Sequence, residues 1–208
     1  MSDSTSSKAY VWFDSEFTSL EEGKGFLLQV ALIVTDCKLK RMVAPELDVN
    51  IAVQLPVDAE VSPWVMEHIP DIVAVSRSDT AWPVERVDAF LVERMVEAVG
   101  PISESIAERP VLAGNSIHAD RKMIRRWLPR FEETLHYRML DVSSWKIGWV
   151  DQFGQEPFDK ENEALMAAYL PSASSDAVTT LHDASYDVRA SIAEYRYYMD
   201  HLTLRKRA

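Results

Sequence analysis

An apolar run that ends in two acids constrains this chain more than any other stretch. Residues 10–13 predict a buried β-strand, and Asp14-Ser15-Glu16 follows directly. Because side chains alternate faces along a strand, Asp14 and Glu16 point to the same side. Two carboxylates at that spacing repel each other, which raises a pKa or attracts a hard cation such as Mg²⁺ or Mn²⁺. A solvated strand end that enters a turn is the alternative for so short a pattern.

The next stretches predict a sheet around this strand. Residues 26–35 form a nearly continuous apolar run, broken only by Gln29, which is typical of a strand buried on both faces. After a turn at residues 36–39, the alternating stretch 51–55 predicts a third strand. We therefore predict a three-stranded antiparallel meander with the acid pair on its first strand, at the centre of the sheet.

The rest of the chain alternates predicted helices and short strands. Apolar residues at helical spacing predict a helix after Pro83, which Gly100 ends, and residues 111–113 predict a short strand. Ser116 is the predicted N-cap of a second helix. Further elements are a strand at 137–142, a helix capped by Asp141 or Ser143, a helix at 161–169 and a long C-terminal amphipathic helix.

A third acid, Asp120, lies on the apolar face of the second helix. It shares that face with Met123 and Ile124 at three- and four-residue spacing. A buried charge without a partner would be costly. Either a bound cation compensates Asp120, or it pairs with Arg121 or Arg125.

His182 and Asp187 stand at the start of the C-terminal helix. His182 lies just before this helix, and Asp187 lies in its first turn. A helix N-terminus tolerates and orients a negative group. For His182 taken alone, a capped or hydrogen-bonded structural imidazole is the alternative to a catalytic role.

Composition limits the kinds of protein and partner. A chain of 208 residues with 47% hydrophobic content predicts a single domain over residues 1–208, with flexible tails at 1–7 and 204–208. The sequence predicts neither a membrane span nor a signal peptide, and the lone Cys37 is expected in buried packing, so we expect a cytoplasmic protein. A net charge of −11 disfavours wrapping of a long nucleic acid, so any polyanionic partner should be short.

In their order and contexts, these residues resemble the DEDDh 3′–5′ exonucleases, and within that superfamily the oligoribonucleases. The similarity runs from residue 12 to residue 198, except for 40–110 and 150–180. The runs that carry it are Gly114-Asn115-Ser116-Ile117, Asp120-Arg121, His136-Tyr137-Arg138, Leu140-Asp141-Val142-Ser143, Asp187 with Arg189, Ser191-Ile192-Ala193-Glu194 and Tyr197-Tyr198. The resemblance implies an α/β, RNase H-like fold: a five-stranded mixed sheet flanked by helices.

The resemblance also implies a metal centre and a reaction. Asp14, Glu16, Asp120 and Asp187 would hold two divalent cations, Mg²⁺ or Mn²⁺, about 3.5–4 Å apart. His182 would be the general base that takes a proton from the attacking water, and the product would be a 5′-mononucleotide. Because the base must be neutral, activity would fall below a pH of about 6.5.

The implied substrate is a short oligonucleotide, above all a 5′-phosphorylated dinucleotide. Ser116, Arg138 and Ser143 match positions that cap its 5′ phosphate, and Tyr137 would come from the second subunit of a homodimer. A guanidinium fork fits a phosphate well, so Arg138 is the strongest of these. An ordinary charge at a strand edge is the alternative for Arg138.

Three further residues match base contacts. Leu20 would wedge between the two bases, Trp64 would stack on a base, and His68 would make an additional base contact. Core packing is the alternative for Leu20 and Trp64.

The chain departs from the oligoribonuclease pattern at several places, and none of them removes a metal ligand. Ser15 stands where an aliphatic residue is usual, Ser19 where glycine is usual and Tyr186 where aspartate is frequent, and the segment 151–180 is longer. Ser19 and this segment lie where they could change the substrate pocket. Two other functions are therefore compared with the main one: a broader exonuclease of longer RNA or DNA 3′ ends, and a binding module without catalysis.

Overall fold

The strand that carries the acid pair lies at the centre of a mixed five-stranded sheet. A computed structural model of the chain describes residues 9–21, 23–170 and 183–205, with side chains as far as residue 202. The strand order is β3-β2-β1-β4-β5. This confirms the predicted sheet. The strands are β1 (Ala9–Phe17), β2 (Leu27–Asp36), β3 (Val49–Ala52), β4 (Val111–Gly114) and β5 (Met139–Asp141).

Pairing of β1 with its two neighbours fixes the position of the acids. β1 runs antiparallel to β2, with Asp14 opposite Ala31 and Glu16 opposite Gln29. It runs parallel to β4, but that pairing reaches only Trp12. The antiparallel pairing of β2 with β3 completes the predicted meander. Because β1 continues past its contact with β4, the acids lie at the carboxyl end of the central strand, beside the turn that follows β4.

Helices cover both faces of the sheet, and each face has its own hydrophobic core. Val11 and Phe13 of β1 pack on one side with Leu91, Ile124 and Phe131. Trp12 packs on the other side, in a core that contains many residues of the C-terminal helix. The helices are α1 (Pro63–His68), α2 (Pro70–Ser76), α3 (Val84–Val99), α4 (His118–Trp127), α5 (Pro129–Glu132), α6 (Val142–Phe153), α7 (Glu163–Tyr169) and α8 (Ala184–Arg205).

The predicted N-cap at Ser116 is wrong. Helix α4 begins at His118, with Ile117 in the N-cap position and without a side-chain cap. Ser116 has a φ of 48°, in the left-handed region that serine seldom adopts. Its N–H donates to the Asp141 carboxylate and to the Ser143 hydroxyl. The chain therefore turns sharply between β4 and α4, and Ser116 faces the start of α6 instead of capping its own helix.

The prediction of a buried Cys37 is also wrong, because this residue is exposed. It lies in the turn after β2, where the Asp36 carboxylate accepts the N–H groups of Lys38 and Lys40. Leu39, with a φ of 63°, is the residue of this turn that is buried. Since the turn buries only one side chain, Cys37 is left at the surface.

The two predicted tails differ in how far the structure describes them. Helix α8 reaches Arg205 and so enters the stretch 204–208 that was predicted as a tail. The other predicted tail, residues 1–7, lies outside the described residues. The extent of the single domain stays a prediction. Within the described ranges, no helix combines the length and the apolar character needed to cross a bilayer.

Gly114 gives a test of the close approach between β4 and β1. A Cβ atom at Gly114 would lie 2.7 Å from the backbone oxygen of Phe13, whereas one at Gly148 in α6 would meet nothing within 4 Å. Gly114→Ala should therefore lower the free energy of unfolding by about 1–3 kcal/mol, as overpacked cores do. Gly148→Ala should leave it unchanged or raise it by up to about 1 kcal/mol, because alanine favours helix. Urea denaturation of both variants measures the two values, and equal stabilities would contradict the proposed clash.

Candidate active site

Acids from the two ends of the chain meet at one point. Asp14 and Glu16 on β1 and Asp187 on α8 each offer a carboxylate oxygen, and these oxygens all lie within 4.8 Å of one another. The alternation of β1 brings the first two to one face. The first turn of α8 delivers the third, with its N–H donating to the Asp183 carbonyl. We call these three residues the acid cluster.

Asp120 lies beside the acid cluster but is held by a different partner. Its Oδ1 accepts the N–H of Ser15 at 2.9 Å and the hydroxyl of Ser15 at 2.7 Å. Ser15 is the residue between the two acids of β1, so α4 is tied to the centre of the site. The charge of Asp120 is close enough to contribute to the raised pKa of both Asp14 and Glu16, after the larger effect of burial.

The alternative of an arginine partner for Asp120 is not found. Arg121 donates to Glu132 at 2.9 Å, and Arg125 donates to the same carboxylate oxygen at 3.1 Å. Both arginines thus bind α5. Asp120 is buried, and among the described residues its carboxylate has the hydrogen bonds from Ser15 but no arginine partner, which favours the cation alternative.

Burial and mutual repulsion disfavour the ionised forms of these acids and so raise their pKa values. Burial, followed by the charges of Asp120, Asp187 and Glu16, raises the pKa of Asp14 well above its ordinary value. Burial and the same kind of repulsion raise the pKa of Glu16 to about 7. Burial raises the pKa of Asp120 to about 7 even though the hydrogen bonds from Ser15 lower it.

This arrangement fits divalent cations. Oxygen ligands from carboxylates are the donors that hard divalent cations prefer, and a cation would remove the repulsion that raises these pKa values. One cation already lies against the acid cluster: the Lys160 ammonium is 2.6 Å from Oδ1 of Asp187. Sequence reasoning missed Lys160, because it lies in the long segment after α6 and belongs to no periodic pattern.

Two of the predicted phosphate-cap residues, Ser116 and Ser143, meet at the start of α6. Ser116 and Ser143 have their hydroxyl oxygens 3.2 Å apart, and the Ser116 N–H donates to Ser143 at 3.0 Å. Asp141 is the N-cap of α6 and accepts the N–H of Ser143. Of the two predicted caps, Asp141 and Ser143, the first is therefore confirmed. Arg138 and Tyr137 are exposed just before β5, with the guanidinium carbon 5.3 Å from the tyrosine ring centroid.

A buried polar network behind the cap was missed by the sequence reasoning. The Ser143 hydroxyl donates to Asn115 Oδ1 at 3.1 Å, and Asn115 Nδ2 donates to Glu194 at 2.9 Å and to Ser191 at 3.1 Å. The Tyr198 hydroxyl donates to Glu194 at 2.8 Å. These residues stand in runs that carry the family resemblance, which was the available signal. We call Asn115, Ser191, Glu194 and Tyr198 the buried network.

The predicted base-contact residues are at the surface rather than in the core. Leu20 is 84% exposed and Trp64 is 54% exposed, so core packing does not explain either side chain. The Trp64 ring stacks on the His68 ring with centroids 4.2 Å apart. Leu20 lines a cleft of about 320 Å³ that Lys122 and others also line.

The predicted general base, His182, lies outside the described residues. The next residue, Asp183, is close enough for its charge to add to the raised pKa of Glu16, after the larger effects of burial, Asp187 and Asp120. Asp183 also accepts the N–H of Ser185 at 2.8 Å, which begins α8. The role of His182 stays a prediction.

The raised pKa of Glu16 predicts how stability without metal depends on pH. Its pKa rises from 4.5 to about 7 on folding, so the folded state binds a proton more tightly than the unfolded chain. The stabilisation is present below the unfolded value and is lost as the pH rises through the folded value. In a chelator, the melting temperature of the wild type relative to that of Glu16→Gln should therefore fall between pH 5 and pH 7.5.

Thermal unfolding by circular dichroism measures this difference, and Mg²⁺ should abolish the fall by neutralising the ionised acids. Glu93→Gln, an exposed change on α3, is the control and should follow the wild type at every pH. Parallel pH profiles of wild type and Glu16→Gln would contradict the role of burial at this site.

Comparison with known proteins agrees with the sequence and with the fold. A family profile described as exonuclease, RNase_T, matches residues 11–195. An oligoribonuclease of Ectopseudomonas mendocina is 30% identical over 92% of this chain and 94% of its own length. An oligoribonuclease of Chromobacterium violaceum is 28% identical over 92% of this chain and 93% of its own length.

Solved structures agree at the level of the fold. E. coli Exonuclease I in complex with an oligonucleotide has a TM-score of 0.62 at 15% identity, over 95% of this chain and 43% of that one. Cell-death related nuclease 4 has a TM-score of 0.60 at 11% identity, over 93% of this chain and 64% of that one. The chain thus spans less than two thirds of each of these proteins, and their shared architecture confirms the RNase H-like fold. By the span of the profile match, the chain belongs to the exonuclease family RNase_T.

Proposed function

We propose that the protein is a metal-dependent 3′–5′ exonuclease that hydrolyses short oligonucleotides, above all 5′-phosphorylated dinucleotides, to 5′-mononucleotides. The observation that carries this proposal is the acid cluster, in which β1 and α8 bring Asp14, Glu16 and Asp187 together. The relatives named oligoribonuclease, which match over almost the whole chain, support the short substrate.

In this proposal the acid cluster and Asp120 hold two divalent cations, Mg²⁺ or Mn²⁺. Bound there, such ions supply an activated water and stabilise charge on the leaving oxygen. The protein's own residues prepare the site: β1 fixes the direction of Asp14 and Glu16, and Ser15 fixes Asp120 through two hydrogen bonds. A rigid set of oxygens costs little reorganisation when the reaction occurs.

His182 is the proposed general base, which accepts the proton of the attacking water at an imidazole nitrogen. The start of α8, directly after it, is fastened to β2. Gln29 accepts the N–H of Ala184 at 3.2 Å and donates to the Asp183 carboxylate at 3.4 Å. This attachment fixes Asp183 and Ala184, the two residues that follow His182 in the sequence.

A capped 5′ end explains how an acidic protein can select a short anion. Ser116 and Ser143 present adjacent hydroxyls, and Arg138 supplies a guanidinium close by in the sequence. Phosphate bound by these groups would lie at one end of the substrate, while the acid cluster would process the other. Leu20, Trp64 and His68 are the proposed base contacts, because all three are exposed.

We further propose a homodimer in the cytoplasm. The strand β5 is at the edge of the sheet, and it presents Met139 next to the exposed Tyr137. An edge strand offers unpaired backbone groups to a second chain. In the dimer, Tyr137 of each chain would complete the phosphate site of the other. The exposed Cys37 thiol is compatible with a reducing compartment.

A broader exonuclease of longer 3′ ends is the second candidate, and one observation favours it. The cleft beside Leu20 is also lined by His118, Lys122 and Arg126, which could follow a longer phosphate backbone. A binding module without catalysis is disfavoured, because all four acids are retained in a chain of an exonuclease family.

Turnover of substrates of different length decides between the two enzymes. In the presence of Mn²⁺, we expect a higher kcat/KM for a 5′-phosphorylated dinucleotide than for a seven-nucleotide oligomer. The products should be 5′-mononucleotides. Asp14→Asn should lower kcat at least about a hundredfold, since loss even of outer-shell partners of a metal costs 10–100-fold. Asp79→Asn, an exposed change, is the control. Equal or faster turnover of the longer substrate would favour the second candidate, and full activity of Asp14→Asn would refute both.

Arg138→Ala tests the capped 5′ end separately. Loss of a charge-assisted contact of about 1.5–3 kcal/mol should raise KM for the 5′-phosphorylated dinucleotide roughly 10- to 150-fold. KM for the same dinucleotide with a 5′ hydroxyl should change little, because it lacks the phosphate. Steady-state kinetics on both substrates measure this, with the exposed Arg77→Ala as control. Equal effects on the two substrates would remove Arg138 from the cap.

A further inference from the structure

The segment between α6 and α7 places a positive charge on the acid cluster. Lys160 lies in this segment, and its Nζ is 2.6 Å from Oδ1 of Asp187. The charge is also close enough to favour the ionised forms of Asp14 and Glu16. One ammonium therefore contacts Asp187 and lies within electrostatic range of Asp14 and Glu16.

The backbone around Lys160 is fixed by contacts on both sides. Phe158 is buried in the core beneath α8, and its N–H donates to the Tyr198 hydroxyl at 3.4 Å. The carbonyl of Lys160 accepts the Tyr186 hydroxyl at 2.5 Å. Earlier in the segment, the Trp149 indole donates to the carbonyl of Glu156 at 3.0 Å. The packing of the segment on α6 and α8 thus fixes the backbone from which the Lys160 ammonium reaches Asp187.

An ammonium and a divalent cation at the same carboxylate oxygen weaken each other's binding. A metal such as Mg²⁺ requires oxygen ligands at about 2.0–2.1 Å, and the two positive charges would repel each other. The Lys160 side chain is 41% exposed, so it has a route to solvent. Its flexible four-carbon stem allows the charge to move without movement of the fixed backbone.

We propose that Lys160 is a built-in counter-ion of the acid cluster, which competes with a divalent cation for Asp187. The ammonium offsets part of the repulsion between the acids before an ion binds, and it turns towards solvent when the ion takes its place. Lys160 is therefore a positioning residue that sets how much divalent cation the protein needs. This inference rests on the metal site of the proposed function.

The test replaces Lys160 by methionine, which keeps an unbranched side chain as far as the ε carbon and removes the charge. In the absence of substrate, Lys160→Met should bind Mn²⁺ about five- to tenfold more tightly than the wild type, in the usual range of coupling between two sites. In a chelator, its melting temperature should be lower than that of the wild type, because the acids have lost their counter-ion. Electron paramagnetic resonance of free Mn²⁺ and thermal unfolding give the two readouts without any activity measurement.

Two further variants control for packing and for charge. Lys38→Met removes an exposed ammonium in the turn after β2, at the end of the sheet away from the acid cluster, and it should leave Mn²⁺ affinity unchanged. Lys160→Arg keeps the positive charge and should restore affinity and metal-free stability towards wild-type values. This second variant keeps the inference testable if the methionine variant folds poorly.

The outcomes separate this inference from the proposed function. Unchanged or weaker Mn²⁺ binding by Lys160→Met, with normal binding by the wild type, overturns the competition and leaves the nuclease proposal standing. An absence of Mn²⁺ binding by the wild type overturns the metal site itself. Tighter binding by Lys160→Met together with lower stability in chelator, reversed in Lys160→Arg, supports the built-in counter-ion.

Discussion

Repulsion between partly buried carboxylates is the constraint on which the rest of this structure depends. Asp14, Glu16 and Asp187 are brought together by the fold, and Asp120 lies beside them. Charges of one sign in partly buried surroundings destabilise a folded chain unless something compensates them. Among the described residues, two hydrogen bonds from Ser15 and the ammonium of Lys160 offset part of this charge. This compensation is incomplete, and the remaining negative charge favours the binding of divalent cations.

The sheet and its two cores supply the rigidity that such a site requires. Alternate residues of β1 pack into opposite cores, with Phe13 on one side and Trp12 on the other. The strand is therefore held from both faces immediately before its acids. Such a strand cannot shift by one residue without exchange of its two faces, so the direction of Asp14 and Glu16 is set by hydrophobic packing. Stability and chemistry thus meet in one strand.

Much of the fold could be predicted from local sequence patterns. The period of two along β1 predicted the shared face of Asp14 and Glu16, and the long apolar run predicted β2 beside it. Asp187 came from its place at the start of a helix and from the family resemblance. These features could be predicted because each depends on residues that are close in the sequence or on runs that a family retains.

Other features depend on tertiary contacts that no local pattern reports. The partner of Asp120 is a backbone N–H and a hydroxyl 105 residues away in the sequence, which no spacing rule indicates. Lys160 meets Asp187 through the packing of its segment on α6 and α8, which includes Phe158. Ser116 took a left-handed conformation, and Cys37 was left exposed, because the turn around each residue decided its place. Local propensity is a weak guide where turn geometry prevails.

The buried network joins the proposed phosphate cap at Ser143 to α8, the helix that carries Asp187. Asn115 bonds Ser143 at the phosphate cap and Glu194 in the middle of α8, the helix whose first turn holds Asp187. The proposed phosphate cap and the acid cluster are therefore both attached to α8. Substitutions in the interior of α8 would affect both sites at once. The distance between the proposed phosphate cap and the acid cluster could therefore change in evolution only through a change in this helix.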